Sequence, residues 1–271
     1  MFKPAEASQP EVAWRTDLGS MIVSDSLVSM AELEPSCTQL ALFSPPFEIG
    51  AFQSGVEYSE WLARIFAVLE ALVKPEGHVV FEFGNCWEEG APLRSTHMFD
   101  VLHIIFSRTR WRLQQEFFWY NPYLLQTPSR FVDARLRKRA SITNLFWLSR
   151  QPAAADISLI DTPDRALSNS SSDDLVSFRD CALDRRYRKR CRELGHRPFG
   201  DRFPITLATS FVRALSAPGD LILDPFAGCG TSGAAAEYLG RRWLCIERCR
   251  NTAVMCESWF DRGARGGPAP A

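Results

Sequence analysis

This chain has no Cys-x-x-Cys pair, almost no net charge and no apolar run long enough to span a bilayer. Each absence narrows the class of protein. The 8 cysteines are scattered, and the 4 histidines (His78, His97, His103 and His196) stand at no ligand spacing to them, so zinc is not expected and no metal is assigned. A chain of 271 residues buries a full core without disulfide staples. Free thiols are expected, with Cys245 and Cys249 in the packing. The first 14 residues are polar and carry no secretory leader, which makes a cytoplasmic protein with no membrane partner the expectation. No internal repeat is present.

What is there is a globular composition, 46% hydrophobic and 12% aromatic, that fits one α/β domain with an insertion. The formal charge of -1 hides an asymmetry, since basic residues crowd 130–139 and 185–192 while acids lie elsewhere. A near-neutral total therefore does not exclude a nucleic-acid partner. Short strands are predicted at 20–23 and 39–43, each ending on a polar residue or a turn. Tyr58, Trp61, Leu62, Ile65, Phe66, Leu69, Leu72 and Val73 then recur at helical spacing until Lys74-Pro75-Glu76-Gly77 stops the helix, and 78–83 follows as a buried strand. Met98, Val101, Leu102, Ile105 and Phe106 predict a helix over 97–107, and 111–120 and 143–149 read as two further strands. Between 151 and 180 the composition shifts to Ala, Pro, Ser, Asp and Asn, the mark of an insertion or mobile loop. A helix at 205–215, a strand at 221–223, a glycine-rich turn, a helix, a strand at 242–246 and a last helix complete the chain, with tails at 1–19 and 263–271.

The turn after residue 223 is Asp224-Pro225-Phe226-Ala227-Gly228-Cys229-Gly230-Thr231-Ser232-Gly233, which satisfies Gly-x-Gly-x-x-Gly between a strand and a helix. Such a loop lets backbone approach a nucleoside-bearing cofactor; a tight strand-to-helix turn has the same letters. Glu247, at the end of the next strand, stands where a carboxylate accepts hydrogen bonds from both hydroxyls of a ribose. A nicotinamide dinucleotide site places an acid similarly, so the ribose alone does not choose the cofactor. Only about two dozen residues follow Glu247. The remaining strands of a parallel sheet must come from the N-terminal half of the chain.

The strand at 39–43 runs into Ser44-Pro45-Pro46-Phe47. Each proline fixes φ, lacks an N–H and pushes its predecessor into an extended conformation, leaving carbonyls as acceptors. An exocyclic base amine is a poor nucleophile because its lone pair is delocalised into the ring. Acceptors placed around its N–H groups favour a tetrahedral nitrogen with the lone pair free, which is preorganised electrostatics. The Ser44 hydroxyl and the Pro45 carbonyl are the candidate acceptors, and Phe47 can stack on a base extruded from the duplex. The other reading is a rigid strand-end turn with a buried Phe.

Ordered this way, acceptor turn first and glycine loop second, the chain resembles the beta-arranged DNA amino-methyltransferases over nearly its whole length. Within them it is similar to the PvuII-type methylases of restriction-modification systems, in which Ser-Pro-Pro marks cytosine N4 specificity and Asp-Pro-Pro more often adenine N6. The resemblance implies a circularly permuted class I methyltransferase fold with a mostly parallel seven-stranded sheet. It divides the chain into a catalytic half at 20–122, a target-recognition region at 123–195 and a cofactor half at 196–262. It assigns S-adenosylmethionine to Asp224, Pro225, Phe226, Gly228, Gly230 and Thr231, with Glu247 on the ribose, Asp25 on the adenine, and Arg202 and Phe203 closing over the methionine carboxylate. Glu82, in a Gly77-to-Asn85 stretch that also matches, is placed to polarise Ser44 or accept a proton, or to fix a loop. Phe118-Trp119-Tyr120-Asn121-Pro122 resembles the aromatic strand near the flipped base; an amphipathic strand accounts for it as well.

In the same family the interval between the aromatic strand and the cofactor half holds target recognition. Arg130, Arg135, Arg137, Lys138 and Arg139, then Arg185, Arg186, Arg188, Lys189, Arg190 and Arg192, are expected to neutralise duplex phosphates, with one or two arginines reading guanine. A solvated helical face is the alternative for either cluster. The implied protein is a site-specific N4-cytosine methyltransferase on double-stranded DNA, held at the nucleoid by that DNA, as monomer or homodimer, with a cognate endonuclease left open. Three competitors remain: N6-adenine methylation on the same fold, a nicotinamide-dependent oxidoreductase that would leave Ser-Pro-Pro-Phe idle, and a non-catalytic DNA-binding module.

Overall fold

Strand β3 (Thr38–Phe43) is apolar on both faces: Leu40 and Leu42 point into one buried cluster and Ala41 and Phe43 into another. A strand of that kind belongs in the middle of a sheet covered on both sides, and that is its place. The computed structural model describes residues 10–46, 55–85, 93–121, 141–152, 155–160 and 174–260. Phe47 and the first basic cluster, Arg130, Arg135, Arg137, Lys138 and Arg139, lie outside the described residues.

In chain order the other elements are β1 (Glu11–Arg15), β2 (Gly19–Val23), α1 (Ser26–Ala31), α2 (Gly55–Leu72), β4 (Val73–Phe83), α3 (His97–Arg108), β5 (Arg112–Tyr120), β6 (Ile142–Ser149), β7 (Leu175–Val176), α4 (Ala182–Glu193), α5 (Ile205–Leu215), β8 (Leu221–Asp224), α6 (Thr231–Tyr238), β9 (Arg242–Glu247) and α7 (Arg250–Ala253). A 3-10 turn over Val254–Trp259 ends the described chain. The sheet order is β1-β2-β9-β8-β3-β4-β6-β5-β7. β1 and β6 run against the rest.

The sheet among the described residues is thus 9-stranded, where seven were expected. The two additions are the edges, β1 and β7. β1 is mostly exposed and β7 is two residues long, so neither carries the apolar alternation that announces a strand. β1 falls in what was expected to be an N-terminal tail. β7 falls in the expected mobile loop, where Ile160 and Phe178 also reach the core. A second difference concerns Lys74 to Gly77, expected to end a helix outside any strand. α2 stops at Leu72, and β4 opens at once by pairing Val73 with Thr38; the register then shifts, and pairing resumes at His78 opposite Leu40. Pro75 has no N–H for a ladder, so this stretch is accommodated as a bulge.

α2 and α3 cover one face of the sheet, with Leu62, Phe66, Val101 and Ile105 against Phe43 and Phe81. α5 and α6 cover the other, where Phe211 and Val212 pack with Leu42, Leu145 and Trp243. Truncating a fully buried ring such as Phe211 to Ala in a core of this kind costs about 3–5 kcal/mol. α6 sits close because its inner residues are small: a Cβ on Gly233 would lie 2.8 Å from Cys245 Sγ and from Trp243 Cε3. Among the described residues, no helix is long and apolar enough to cross a membrane. Cys245 is buried as expected, whereas Cys249 is exposed, because it lies beyond the end of β9, at the open end of the sheet.

Candidate active site

The chain leaves β8 through α6 toward β9 and leaves β3 through α2 toward β4, in opposite directions along the sheet. The carboxyl ends of these adjacent parallel strands therefore flank a switch point, where open α/β sheets bind ligands. Asp224 to Gly230 continue β8, Glu247 ends β9, Asp25 follows β2, Ser44 to Pro46 continue β3 and Glu82 lies near the end of β4. The topology brings these members of both expected constellations to the carboxyl ends of the central strands.

On the cofactor side, Asp224 is 3% exposed and builds the loop. Its carboxylate accepts from Phe226 N at 2.9 Å and from the Ser232 hydroxyl. Burial pushes its acidity to about 7, and the charge of Glu247 adds to that shift. Pro225 accepts from Ser26 through its carbonyl, while Phe226 packs on Phe43 and Trp61 at ring distances of 5.6 and 5.4 Å. Gly228 and Gly230 adopt positive φ, 54° and 81°. At Gly230 the requirement is doubled, since a Cβ would lie 2.7 Å from Cys256 Sγ. Thr231 is 3% exposed at the start of α6. Glu247 carries three backbone donors, Gly228 N at 2.9 Å, Cys249 N at 2.7 Å and Arg248 N. A carboxylate offers about four lone-pair sites, so one remains for a hydroxyl where two ribose hydroxyls were expected, because the backbone of the loop takes the others. Burial raises Glu247 above the usual carboxylate range despite those donors. Asp25 is exposed, caps α1 through Leu27 N at 2.9 Å, and neighbours Glu247 because β2 pairs with β9.

Arg202 and Phe203 do not form the expected carboxylate clamp. Arg202 Nη1 donates to Asp184 Oδ1 at 2.6 Å, with side chains 8% and 0% exposed, and its guanidinium lies 5.0 Å from the Tyr187 ring and 5.3 Å from that of Trp259. A buried cation takes the nearest buried anion and ring faces. Phe203 is 7% exposed in the core. The ring that meets the glycine loop is Phe199, whose Cε1 lies 3.1 Å from where a Cβ of Gly228 would stand. Nothing in the spacing singled out Phe199.

On the catalytic side, Pro45 is buried, Pro46 is exposed and Ser44 is half-buried. The Ser44 hydroxyl is hydrogen-bonded to Glu82, and burial pushes that carboxyl up to about 7 against the pull of this bond. The Pro46 carbonyl is not free, since Tyr58 Oη donates to it at 2.7 Å. Tyr58 was visible in the sequence as a core position of α2 and nothing more. In the aromatic strand Trp119 is 2% exposed, so it serves the core.

The second basic cluster forms α4, and two of its expected DNA contacts are committed to the protein. Arg186 Nη2 donates to the Trp259 carbonyl at 3.0 Å and to the Tyr238 hydroxyl, and Arg188 pairs with Asp180. The two residues flank Tyr187, one on either side of the buried face of the helix. Lys189 stays 76% exposed with a loose 3.8 Å contact to Glu193, and Arg185 and Arg192 are exposed. These three fall at i, i+4 and i+7, one stripe of the helix. Among the described residues no group of three or more His, Cys, Asp or Glu is placed to hold a metal ion.

The parallel centre, the switch-point cleft and the acceptor turn preceding the glycine loop define a permuted α/β methyltransferase fold. Residues 38–254 match the DNA methylase family N6_N4_Mtase, and the chain belongs to that family. It is similar to the type II methyltransferase M.PvuII of Proteus hauseri, 28% identical over 274 residues that span 87% of this chain and 81% of the relative. Among solved structures it superposes on the cytosine-N4-specific PvuII DNA methyltransferase with a TM-score of 0.81 at 26% identity, covering 96% of this chain and 92% of that one. A DNA modification methylase of Thermus thermophilus shares the fold at a TM-score of 0.63 and 21% identity, covering 90% of this chain and 95% of its own.

Proposed function

We propose that this DNA methylase transfers the methyl group of S-adenosylmethionine to the N4 amine of cytosine at a specific site in duplex DNA, as the modification enzyme of a restriction-modification pair. The observation that carries it is Ser44, not Asp, before Pro45-Pro46, hydrogen-bonded to Glu82 across the switch point from the glycine loop. The extended match to M.PvuII, and to a solved PvuII methyltransferase described as cytosine-N4-specific, supports the same base.

The residues present fit the cofactor. Glu247 keeps one acceptor site for a ribose hydroxyl, Asp25 stands at the neighbouring strand end for the adenine amine, and the left-handed Gly228 and Gly230 bring backbone to the cleft. When bound, S-adenosylmethionine supplies a methyl carbon made electrophilic by the sulfonium. Ser44 Oγ and the Pro45 carbonyl accept from the cytosine amine and turn its lone pair out of conjugation. Glu82, whose carboxyl burial pushes up to about 7, would take the proton that the amine gives up on methylation, as suits an acceptor at neutral pH. Phe47 is the proposed stacking partner of the extruded base.

Arg185, Lys189 and Arg192 are the described cations proposed for phosphate contacts, with Arg130, Arg135, Arg137, Lys138 and Arg139 proposed beside them. Mass spectrometry of nucleosides from DNA treated with the protein tests the base. N4-methylcytosine is expected; N6-methyladenine as the main product overturns the base and leaves the family. Neutralising the α4 stripe should weaken binding to every duplex and flatten its salt dependence.

A further inference from the structure

Pro45 and Pro46 give the acceptor turn its stiffness and strip it of N–H groups. Such a turn has no backbone donors of its own at those positions, so a donor that reaches one of its carbonyls can hold it in place. Tyr58, in the first turn of α2, supplies it. The side chain is 0% exposed, and its hydroxyl donates to the Pro46 carbonyl at 2.7 Å. The ring above that hydroxyl lies nearly parallel to Phe83, 6.3 Å away at 9°, and meets His97 edge-on at 5.7 Å and 88°. His97 packs edge-on against Phe83 as well, at 5.4 Å, and its Nδ1 is 2.5 Å from Ser95 Oγ.

Phe83 is the residue after Glu82, and Pro46 is two residues after Ser44. One buried side chain therefore grips the end of β3 by a hydrogen bond and the end of β4 by ring packing. We propose that Tyr58 is a positioning residue for methyl transfer: it fixes the Ser44 turn relative to Glu82 and withholds the Pro46 carbonyl from the substrate amine, leaving Ser44 and Pro45 as the acceptors. Tyr58 does not touch the base in this role. It sets the register between two strand ends that carry the reacting groups. The inference rests on the proposed roles of Ser44 and Glu82.

Tyr58→Phe removes the donor and keeps the ring; Tyr58→Leu removes both. Steady-state methylation, calorimetry with S-adenosylmethionine and a 13C NMR titration of Glu82 in cofactor-free protein read the effect. For Tyr58→Phe, kcat should fall about tenfold while the KM for DNA and the cofactor affinity stay within about twofold. The Ser44 bond lowers the acidity midpoint of Glu82. Loosening the turn should move that midpoint, and the acid limb of the pH–rate profile, to higher pH. Tyr58→Leu should lose more activity and also melting temperature, with Phe recovering the melting temperature but only part of the activity. A Phe variant with parental kcat and an unmoved Glu82 titration overturns the proposal, as does a loss of kcat explained by an equal loss of cofactor binding. Rates are compared on whichever methylated base the parent makes, so an adenine product overturns the base assignment without shielding Tyr58. A parent that methylates no DNA overturns both.

Discussion

The Ser44 hydroxyl is hydrogen-bonded to Glu82 across the ends of two adjacent parallel strands, and burial holds that carboxyl near 7. The charged form is the better acceptor for both the serine and the amine proton. Below about 7 Glu82 carries its own proton, so kcat should rise with pH through that value. Glu82→Gln should lower the plateau roughly a hundredfold and abolish this limb. A parental limb in the variant assigns the titration to another group.

Ser44→Ala should reduce turnover by roughly 10²–10³, the range for losing one preorganised partner of a transition state. Cofactor affinity measured by calorimetry should stay near the parent's, because Ser44 follows β3 whereas the glycine loop follows β8. Ser44→Asp should keep part of the activity. Turnover of the Ala variant close to parental removes the hydroxyl from the mechanism.

Glu247→Ala should weaken S-adenosylmethionine and S-adenosylhomocysteine alike by about one to two decades, the size of one charge-assisted hydrogen bond. It also strips acceptors from Gly228 N and Cys249 N, which confounds ribose contact with loop order. Glu247→Gln is the sharper test, since it keeps one carbonyl acceptor for the loop; a smaller loss shared by both ligands is expected. Parental affinity for both in the folded Ala variant refutes the ribose assignment.

Asp224 is an acid raised by folding from 3.8 to about 7. The folded state therefore keeps a proton that the unfolded chain releases near 4. Its contribution to stability is complete below the unfolded value and is lost as pH rises through about 7. Asp224→Asn, which cannot ionise, should flatten the decline of the urea midpoint between about pH 4.5 and 7.5. An unchanged slope would place Asp224 in its charged form.

Removing Arg202 leaves Asp184 buried without its cation, a loss of about 3–5 kcal/mol for a pair this enclosed. Arg202→Met should lower the melting temperature sharply, and adding Asp184→Asn should recover part of it. Cofactor affinity of the folded variant should stay within about twofold. A protein with parental melting temperature and poor cofactor binding restores the carboxylate-clamp role.

The two turns proposed to carry the chemistry were legible in the sequence because they are local. Proline and glycine constrain φ wherever they stand, so Ser44-Pro45-Pro46 and the loop at Gly228 and Gly230 announce themselves without any partner. Their order along the chain was enough to imply a permuted sheet. The tertiary structure alone decided who meets whom. Arg202, Arg186 and Arg188 read as free cations in a string of letters, and only docking of α4 against the body shows Asp184, Trp259 and Asp180 taking them. β1 and β7 became strands because sheet edges were there to pair with, not because of their own pattern. Tyr58 followed a helical apolar period, as any core residue does. That its hydroxyl finds the Pro46 carbonyl depends on how α2 packs beside β3 and β4, and periodicity carries no information about where a buried side chain's polar tip will end.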